Sequence, residues 1–496
     1  MNVRPSLAEI LAYDGPATHA AVSVQLLADA ETPVSVYAKL TAGAQDAVLL
    51  ESVEGGERMA RYSFIVRGDH GRLSVRDGLL MAADESGVNE TPVTDPLAPL
   101  KAALTARAVW SPVSLPRFHG GAVGFLGFDC IRYFEDVPLA EADPQGLPEA
   151  VFVFAREVYI YDHVTRRLSL VIQAPLQGDR AAHHAAAVAR LETAVAALAE
   201  PAPQLRPLPA GADVGTLPEF TSNRSQRQME AAVSQAREAI AAGEIFQVVL
   251  SQRFTVHEAL DPLTLYRALR ALNPSPYMFL FQLRDFALVG ASPEVLVRVE
   301  DDDIFLRPIA GTRRRGDDVA EDLALEQELL ADEKELAEHR MLVDLGRNDV
   351  GRVAEIGTVR LDDPLHIERY AHVMHIVSDV HGRLAEGKDC FDVLRACFPA
   401  GTVSGAPKVR ACELIARLEP DRRGVYAGAV GYFGDNGNMD LCIAIRSLVA
   451  HRDRVSTQAG AGIVWDSDPT KEHEECLHKA RSGLRAIGLA HSWGQR

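Results

Sequence analysis

Tyr426-Ala427-Gly428-Ala429-Val430-Gly431-Tyr432-Phe433, then Asp435-Asn436-Gly437-Asn438, then Met439-Asp440-Leu441-Cys442-Ile443 and on to Val449 is the stretch on which the fold is read. Two apolar runs around a tetrapeptide of Asp, Asn and Gly predict a hairpin, because those residues tolerate the positive φ that tight hairpin turns need. A second turn at residues 451–453 sends the chain back along residues 455–462, so three strands follow one another antiparallel. Upstream, strands are expected over residues 245–254, 278–283, 287–290, 295–300 and 304–308. Residues 151–161 alternate with a period of two and turn near residues 162–166 into residues 168–172, another hairpin. Consecutive hairpins make a large antiparallel sheet with helices packed outside it, an α+β composite and not a doubly wound parallel sheet.

The helices carry their own signals. Ser225 precedes Met229, Val233, Ala236 and Ile240 at helical spacing, with Gly243 as the stop, and Asp261-Pro262 opens a helix whose stripe is Leu265, Leu269 and Leu272. An Ala-rich helix over residues 180–200 runs into five prolines between Pro201 and Pro218, with Gly211 and Gly215 among them. That density forbids regular structure and reads as a linker, dividing the chain into regions 1–215 and 216–496. There is no internal repeat.

A chain of 496 residues, 47% hydrophobic and 24% charged, buries a substantial core. The net charge of −18 repels phosphate backbones and anionic lipid surfaces, so neither nucleic acid nor a membrane is an expected partner, although a few cations inside one cleft still suit a small anion. Six scattered cysteines without a CxxC pair read as reduced thiols, and neither a leader-like N-terminus nor a run of about 20 apolar residues is found. A cytoplasmic protein is expected.

Glu335 and Glu338 lie three apart in a helix expected over about residues 325–345, and Glu472 and Glu475 repeat the spacing near the C-terminus. Each pair shares a helix face. Carboxylate-only donors suit Mg²⁺ or Ca²⁺, and a solvated acidic face is the other reading. Gly401-Thr402-Val403-Ser404-Gly405-Ala406-Pro407-Lys408 leads into a helix ending near Leu418. Its N–H groups suit an anion or its glycines merely permit a tight turn, and it lacks the spacing of an ATP-binding P-loop. Arg446, on a strand between those carrying Tyr426 and Gly460-Ala461-Gly462, suits a carboxylate approaching bare backbone, or is a surface arginine beside a bulge. His375 titrates in the range useful for proton transfer, although a lone histidine is as readily structural. Zinc spacing is absent from His372-Val373-Met374-His375, and His473, Cys476 and His478 match no ligand pattern.

In order along the chain, these segments resemble the chorismate-utilising enzymes, most closely the anthranilate synthase component I family. The resemblance spans nearly the whole sequence. It is carried by Leu49-Leu50-Glu51-Ser52 with Gly55-Gly56-Glu57-Arg58, Arg61-Tyr62-Ser63-Phe64, residues 243–249, Asn273-Pro274-Ser275-Pro276-Tyr277-Met278, and Ala291-Ser292-Pro293-Glu294. It continues through Pro308-Ile309-Ala310-Gly311-Thr312, residues 334–339, His375, residues 401–408 and residues 471–479.

The resemblance implies an α/β/β/α sandwich of face-to-face sheets with helices outside. It implies that Glu335, Glu338, Glu472 and Glu475 hold Mg²⁺ against the ring carboxylate of chorismate. It implies that Tyr426, Arg446, the backbone of Gly460, Ala461 and Gly462, and Lys479 surround the enolpyruvyl carboxylate. Thr312, Thr402, Glu294 and His375 correspond to residues lining the reacting ring, with His375 the proton-transfer candidate. The family reaction adds ammonia at C2 of chorismate as the C4 hydroxyl leaves, then eliminates pyruvate to give anthranilate.

Gln247 stands where isochorismate and salicylate synthases carry a water-activating lysine, and Ala310 where aminodeoxychorismate synthases carry a nucleophilic lysine. Both positions point to direct attack by ammonia. Glu51, Ser52, Pro276, Tyr277 and Met278, with Tyr432 and Cys442, correspond to the family's feedback pocket for L-tryptophan. The chain carries no glutaminase pattern, so a separate amidotransferase subunit is expected to supply ammonia. Cys476 stands beside Glu475 where many relatives have threonine, which implies altered surroundings for that glutamate. The competing readings are an aminodeoxychorismate synthase and a catalytically silent tryptophan-binding regulator.

Overall fold

The computed structural model describes residues 1–52, 61–84, 87–202, 205–208, 217–370 and 373–494. The segment Gly55 to Arg58, His372 and the expected boundary at 215/216 lie outside the described residues. Among the described residues two large sheets, of 13 and 12 strands, form the centre of the molecule. Strands from both sides of residue 216 enter each sheet. In the larger one Tyr277–Gln282 pairs antiparallel with Ala47–Glu51, and in the smaller one Ala429–Gly434 pairs antiparallel with Gly121–Leu126.

Side-chain alternation explains why the sheets lie face to face. Along Tyr277–Gln282, Phe279 and Phe281 enter a core cluster with Val123, Phe125, Val430 and Cys442 of the other sheet. Met278 and Leu280 point the opposite way, into a cluster with Leu265 and Leu269 of the helix Pro262–Leu272 and with Leu484 and Ile487 of the C-terminal helix Pro469–Gly494. A strand buried on both faces needs apolar residues at every position, and the run Tyr-Met-Phe-Leu-Phe meets that need. The outer face of the smaller sheet is covered by another cluster, which includes Leu97 and Leu100 of Leu97–Thr105 and Val393 and Leu394 of Cys390–Cys397. The architecture is helix, sheet, sheet, helix, as the resemblance implied.

Three runs expected to be continuous are broken, and two of the breaks build the site. The alternating run 151–161 splits at Arg156: Ala150–Ala155 belongs to the smaller sheet and Glu157–Asp162 to the larger. The inter-sheet residues are Val151, Val153 and Ala155, then Val158 and Ile160, so the period of two slips by one residue there. The run 439–449 likewise divides into Met439–Ile443 of the smaller sheet and Ser447–His451 of the larger, with Arg446 at φ +50° in the crossover. The helix expected over 325–345 is two helices, Val319–Ala331 and Glu333–Gly351. Asp332 separates them and caps the second by accepting from the N–H groups of Lys334 and Glu335 at 3.1 and 3.2 Å.

Beneath the site, Asp129 is buried and accepts the Gly424 N–H at 2.8 Å. Burial pushes its carboxyl up to about 7. A carboxyl raised in the folded state keeps a proton that the unfolded chain releases, so its contribution to stability falls as pH rises from about 4 to about 7. Asp129→Asn keeps an acceptor for Gly424 without the charge. Denaturant melts at pH 5 and pH 8 should show the variant stabilised at pH 8 by about 2 kcal/mol, with little change at pH 5; equal pH dependence in both proteins would refute the assignment.

Candidate active site

The cleft lies where the chain passes from one sheet to the other. Phe286–Ser292 ends in the larger sheet and Val295–Glu300 begins in the smaller, so Pro293 and Glu294 form a crossover. The crossover holding Arg446 runs beside it. The two are tied by Ile443 N–H donating to the Glu294 carbonyl at 3.0 Å and Ala291 N–H donating to the Arg446 carbonyl at 3.2 Å. Residues far apart in sequence, 294 and 446, therefore become neighbours through backbone bonds.

Glu294 accepts a hydrogen bond from the Thr402 hydroxyl at 3.0 Å, and burial raises its pKa although Thr402, Arg446 and Lys479 all oppose the shift. Among the described residues the Arg446 guanidinium forms no ion pair; burial lowers its pKa, and Glu294, Tyr426 and Glu475 partly restore it. Lys479 donates to the Gly460 carbonyl at 3.1 Å and pairs with Glu475 at 2.6 Å. A Cβ built on Gly460 would sit 2.8 Å from the Tyr426 hydroxyl, and one on Gly462 would sit 2.8 Å from Gln247 Nε2. Those glycines hold open the wall between Tyr426 and Gln247, with buried Ala461 between them.

His375 is placed on the opposite wall by pairing of Ile309–Arg314 with Val373–Arg383, which sets Thr312 against it. Its Nδ1 lies 3.0 Å from the Gly311 carbonyl and 3.0 Å from the Thr312 hydroxyl. A carbonyl only accepts, so the ring proton sits on Nδ1 and Nε2 presents its lone pair. Burial lowers the imidazole pKa, keeping the ring neutral at physiological pH. The Tyr370 ring stands edge-on to it at 5.6 Å and donates its hydroxyl to Glu368 at 2.7 Å.

Glu338 adjoins the cleft wall through Gln247 Nε2 at 3.1 Å, and Glu475 through Lys479 at 2.6 Å. Burial and then Glu338 raise the pKa of Glu335, which pairs with Arg313 at 3.4 Å; burial also raises that of Glu472, with Glu475 adding to the shift. Among the described residues no three His, Cys, Asp or Glu side chains converge into a complete cage. Mg²⁺ is commonly held by one or two carboxylates together with water and an anionic substrate. Two like-charged, half-buried pairs with oxygen donors fit such an ion. Cys476 turns its thiol into the core, 3.8 Å from the Leu250 carbonyl, where burial pushes it up to about 12.

A second pocket between the sheets, about 460 Å³ counting the space open to solvent, is lined by Glu51, Ser52, Tyr62, Arg117, Pro276, Tyr277, Met278, Tyr432, Asp440 and Cys442 among others. All seven residues expected at an effector site border it. The Ser52 hydroxyl is buried and has no partner among the described residues. Glu51 contributes differently: its carboxylate is turned to the helix side, accepting from Tyr266 at 2.7 Å and from Arg270 at 2.8 Å.

The chain matches the family of chorismate binding enzymes over residues 54–485. It is 46% identical over 472 residues to the anthranilate synthase component 1 of Pseudomonas aeruginosa, covering 95% of each chain. With that of Aquifex aeolicus it shares 44% over 494 residues and 99% of each. The crystal structure of anthranilate synthase component I from Streptococcus pneumoniae superposes with a TM-score of 0.76 at 37% identity, covering 86% of this chain and 92% of that one. This chain belongs to the chorismate binding enzymes, among the component 1 anthranilate synthases.

Gln247, expected to discriminate among the family's activities, is buried on the cleft wall, with Nε2 donating to Glu338 at 3.1 Å and Oε1 without a partner among the described residues. Ala310 lies on the strand carrying Thr312 and has no group to offer as a nucleophile. Sequence reasoning missed several neighbours of the cleft: Tyr370 and Glu368 behind His375, and Arg423 against the Tyr426 ring. An alternating strand gives no sign of which residue lies behind a catalytic candidate, so only Arg423, beside Gly424 and a helix end, carried any local signal. Among the described residues no helix is long and apolar enough to cross a membrane.

Proposed function

We propose that this cleft converts chorismate and ammonia to anthranilate and pyruvate, with Mg²⁺ held by glutamates from the Glu335/Glu338 and Glu472/Glu475 pairs. The unpaired guanidinium of Arg446, together with the Tyr426 hydroxyl and Lys479, suits the enolpyruvyl carboxylate, and the open backbone at residues 460–462 lets it approach closely. When bound, Mg²⁺ would withdraw charge through the ring carboxylate. Glu294, its pKa raised and one oxygen held by Thr402, is suited to protonate the departing C4 hydroxyl. His375, neutral with a free Nε2, is suited to remove the ring proton during loss of pyruvate, and Thr312 fixes its orientation.

The observation that carries the choice of nucleophile is that the residue on the cleft wall is Gln247, an amide without a basic atom, whose Oε1 has no partner among the described residues. Its Oε1 can accept an N–H of ammonia, which needs no deprotonation to attack, whereas an amide cannot deprotonate water. Ala310 and the component 1 relatives disfavour an aminodeoxychorismate product, and the filled site positions disfavour a silent regulator. The inter-sheet pocket is assigned to L-tryptophan as an inhibitor: aromatic walls face a buried hydroxyl, Arg117 and Asp440. By linkage, chorismate and tryptophan must then weaken each other's binding equally. A separate glutamine amidotransferase component would supply ammonia in the cell.

Anthranilate fluorescence of the purified chain with chorismate, Mg²⁺ and ammonium at mildly alkaline pH tests the reading. Emission is expected to require Mg²⁺ and to fall on adding L-tryptophan. Chorismate consumed without release of pyruvate would overturn the assignment in favour of an aminodeoxychorismate or isochorismate product.

A further inference from the structure

Arg423 lies outside the cleft with a side chain 1% exposed. Its fork is filled: Nη1 donates to the Val403 carbonyl at 2.7 Å, Nη2 to the Val249 carbonyl at 2.6 Å and to Glu419 Oε1 at 2.7 Å, and Nε to Glu419 Oε2 at 3.0 Å. Glu419 Oε1 also accepts the N–H and hydroxyl of Ser251 at 2.8 and 2.9 Å. The guanidinium carbon lies 4.5 Å from the Phe128 ring centroid and 5.5 Å from that of Tyr426.

Three of these contacts, those to Val403, Val249 and Tyr426, end on a segment that carries a site residue. Val403 follows Thr402. Val249 stands two residues after Gln247 on Gln247–Val256. The Tyr426 ring carries the hydroxyl that faces Gly460. The loop 401–406 is already zipped to that strand by Phe246 N–H donating to the Ala406 carbonyl at 2.7 Å and Val249 N–H to the Ser404 carbonyl at 2.9 Å. Arg423 fastens the end of that zipper nearest Thr402 and supports Tyr426 from below.

We propose that Arg423 is a positioning residue that holds Thr402, Gln247 and Tyr426 in one frame through the planar fork of its guanidinium, an inference that rests on reading the cleft as the chorismate site. A buried ion pair is a weak source of stability, because desolvating both charges costs about what their attraction returns. What distinguishes this pair is geometry: two carbonyls on separate elements and a carboxylate are spanned by one rigid plane. Lysine offers three donors from a single point and cannot reach all three oxygens' directions together.

The test compares R423K and E419Q with the unaltered chain, each assayed well below its own melting temperature after circular dichroism has verified folding. R423K keeps the charge opposite Glu419 but loses the fork. Its kcat/KM for chorismate is expected to fall at least 30-fold, with weaker chorismate binding by calorimetry in Mg²⁺. E419Q keeps both carbonyl contacts and is expected to stay within fivefold of the unaltered kcat/KM while its melting temperature drops. A merely stabilising Arg423 would leave folded R423K within threefold of the unaltered chain, and that result overturns the proposal. So does an E419Q loss as large as that of R423K, which would assign the effect to charge; if R423K does not fold, a loss of 30-fold or more in folded E419Q overturns the proposal. Absence of anthranilate from the unaltered chain would count against the functional reading, and the ratio of chorismate affinities would still test Arg423.

Discussion

Arg446→Met is expected to raise KM for chorismate by two to three orders of magnitude, leave kcat within about tenfold, and keep or raise the melting temperature. The reasons are local. Among the described residues the guanidinium pairs with no carboxylate, sits in a crossover at φ +50°, and is shifted downward by burial. A cation held in that way is costly in the free enzyme, and a bound carboxylate relieves the cost by a bidentate, charge-assisted pair. Losing one partner of such a pair costs about 2–5 kcal/mol, so about thirty- to several-thousandfold in affinity. Met preserves apolar contact along the side chain, and its φ is no worse than that of Arg. Arg446→Lys should recover part of the affinity, since it restores charge but not the fork. Steady-state kinetics by anthranilate emission, paired with thermal melts, decide the matter. A variant with unchanged KM and a lowered melting temperature would make Arg446 structural.

Much of the architecture is legible from local pattern, because hairpin turns and alternation are short-range. Residues 426–462 contain their turns, and Tyr277–Gln282 is apolar on both faces because it is covered on both. What local pattern hides is the point where a strand changes sheet. At Arg156 and at Arg446 the apolar run continues while its phase or direction shifts, and only packing against the second sheet shows it. The site sits at such a point, so the neighbourhood of Glu294 and Arg446 follows from two backbone hydrogen bonds between crossovers and from no spacing in the chain. The glutamate pairs are the opposite case: a period of three on a helix face is visible in sequence, and the break at Asp332 moves Glu335 only into a first turn. Glu419 and Arg423, four apart, resemble a solvated helix pair, yet the helix ends at Leu418 and both side chains are buried.

Replacing one carboxylate of each pair, as Glu335→Gln with Glu472→Gln, is expected to lower Mg²⁺-dependent kcat/KM at least a hundredfold and to abolish the rise in melting temperature that Mg²⁺ produces. Both side chains are half-buried beside a second glutamate, and burial and that neighbour together disfavour their charged forms. Without a cation the like charges work against the fold; on the proposed reading, a bound Mg²⁺ would take them as ligands. The metal-free double variant should therefore be as stable as the unaltered chain or more so, since amides keep the volume and remove the repulsion. Stabilisation by a ligand grows as RT ln(1 + [L]/Kd), so at millimolar Mg²⁺ a hundredfold weaker site shows almost no shift. Calorimetric Mg²⁺ titration with and without chorismate separates two causes of lost activity. Weaker metal binding supports the assignment, whereas undiminished binding would place the ion elsewhere. Such a site is poorest as an element of the empty fold and strongest when filled, as expected if its residues serve binding at the expense of stability.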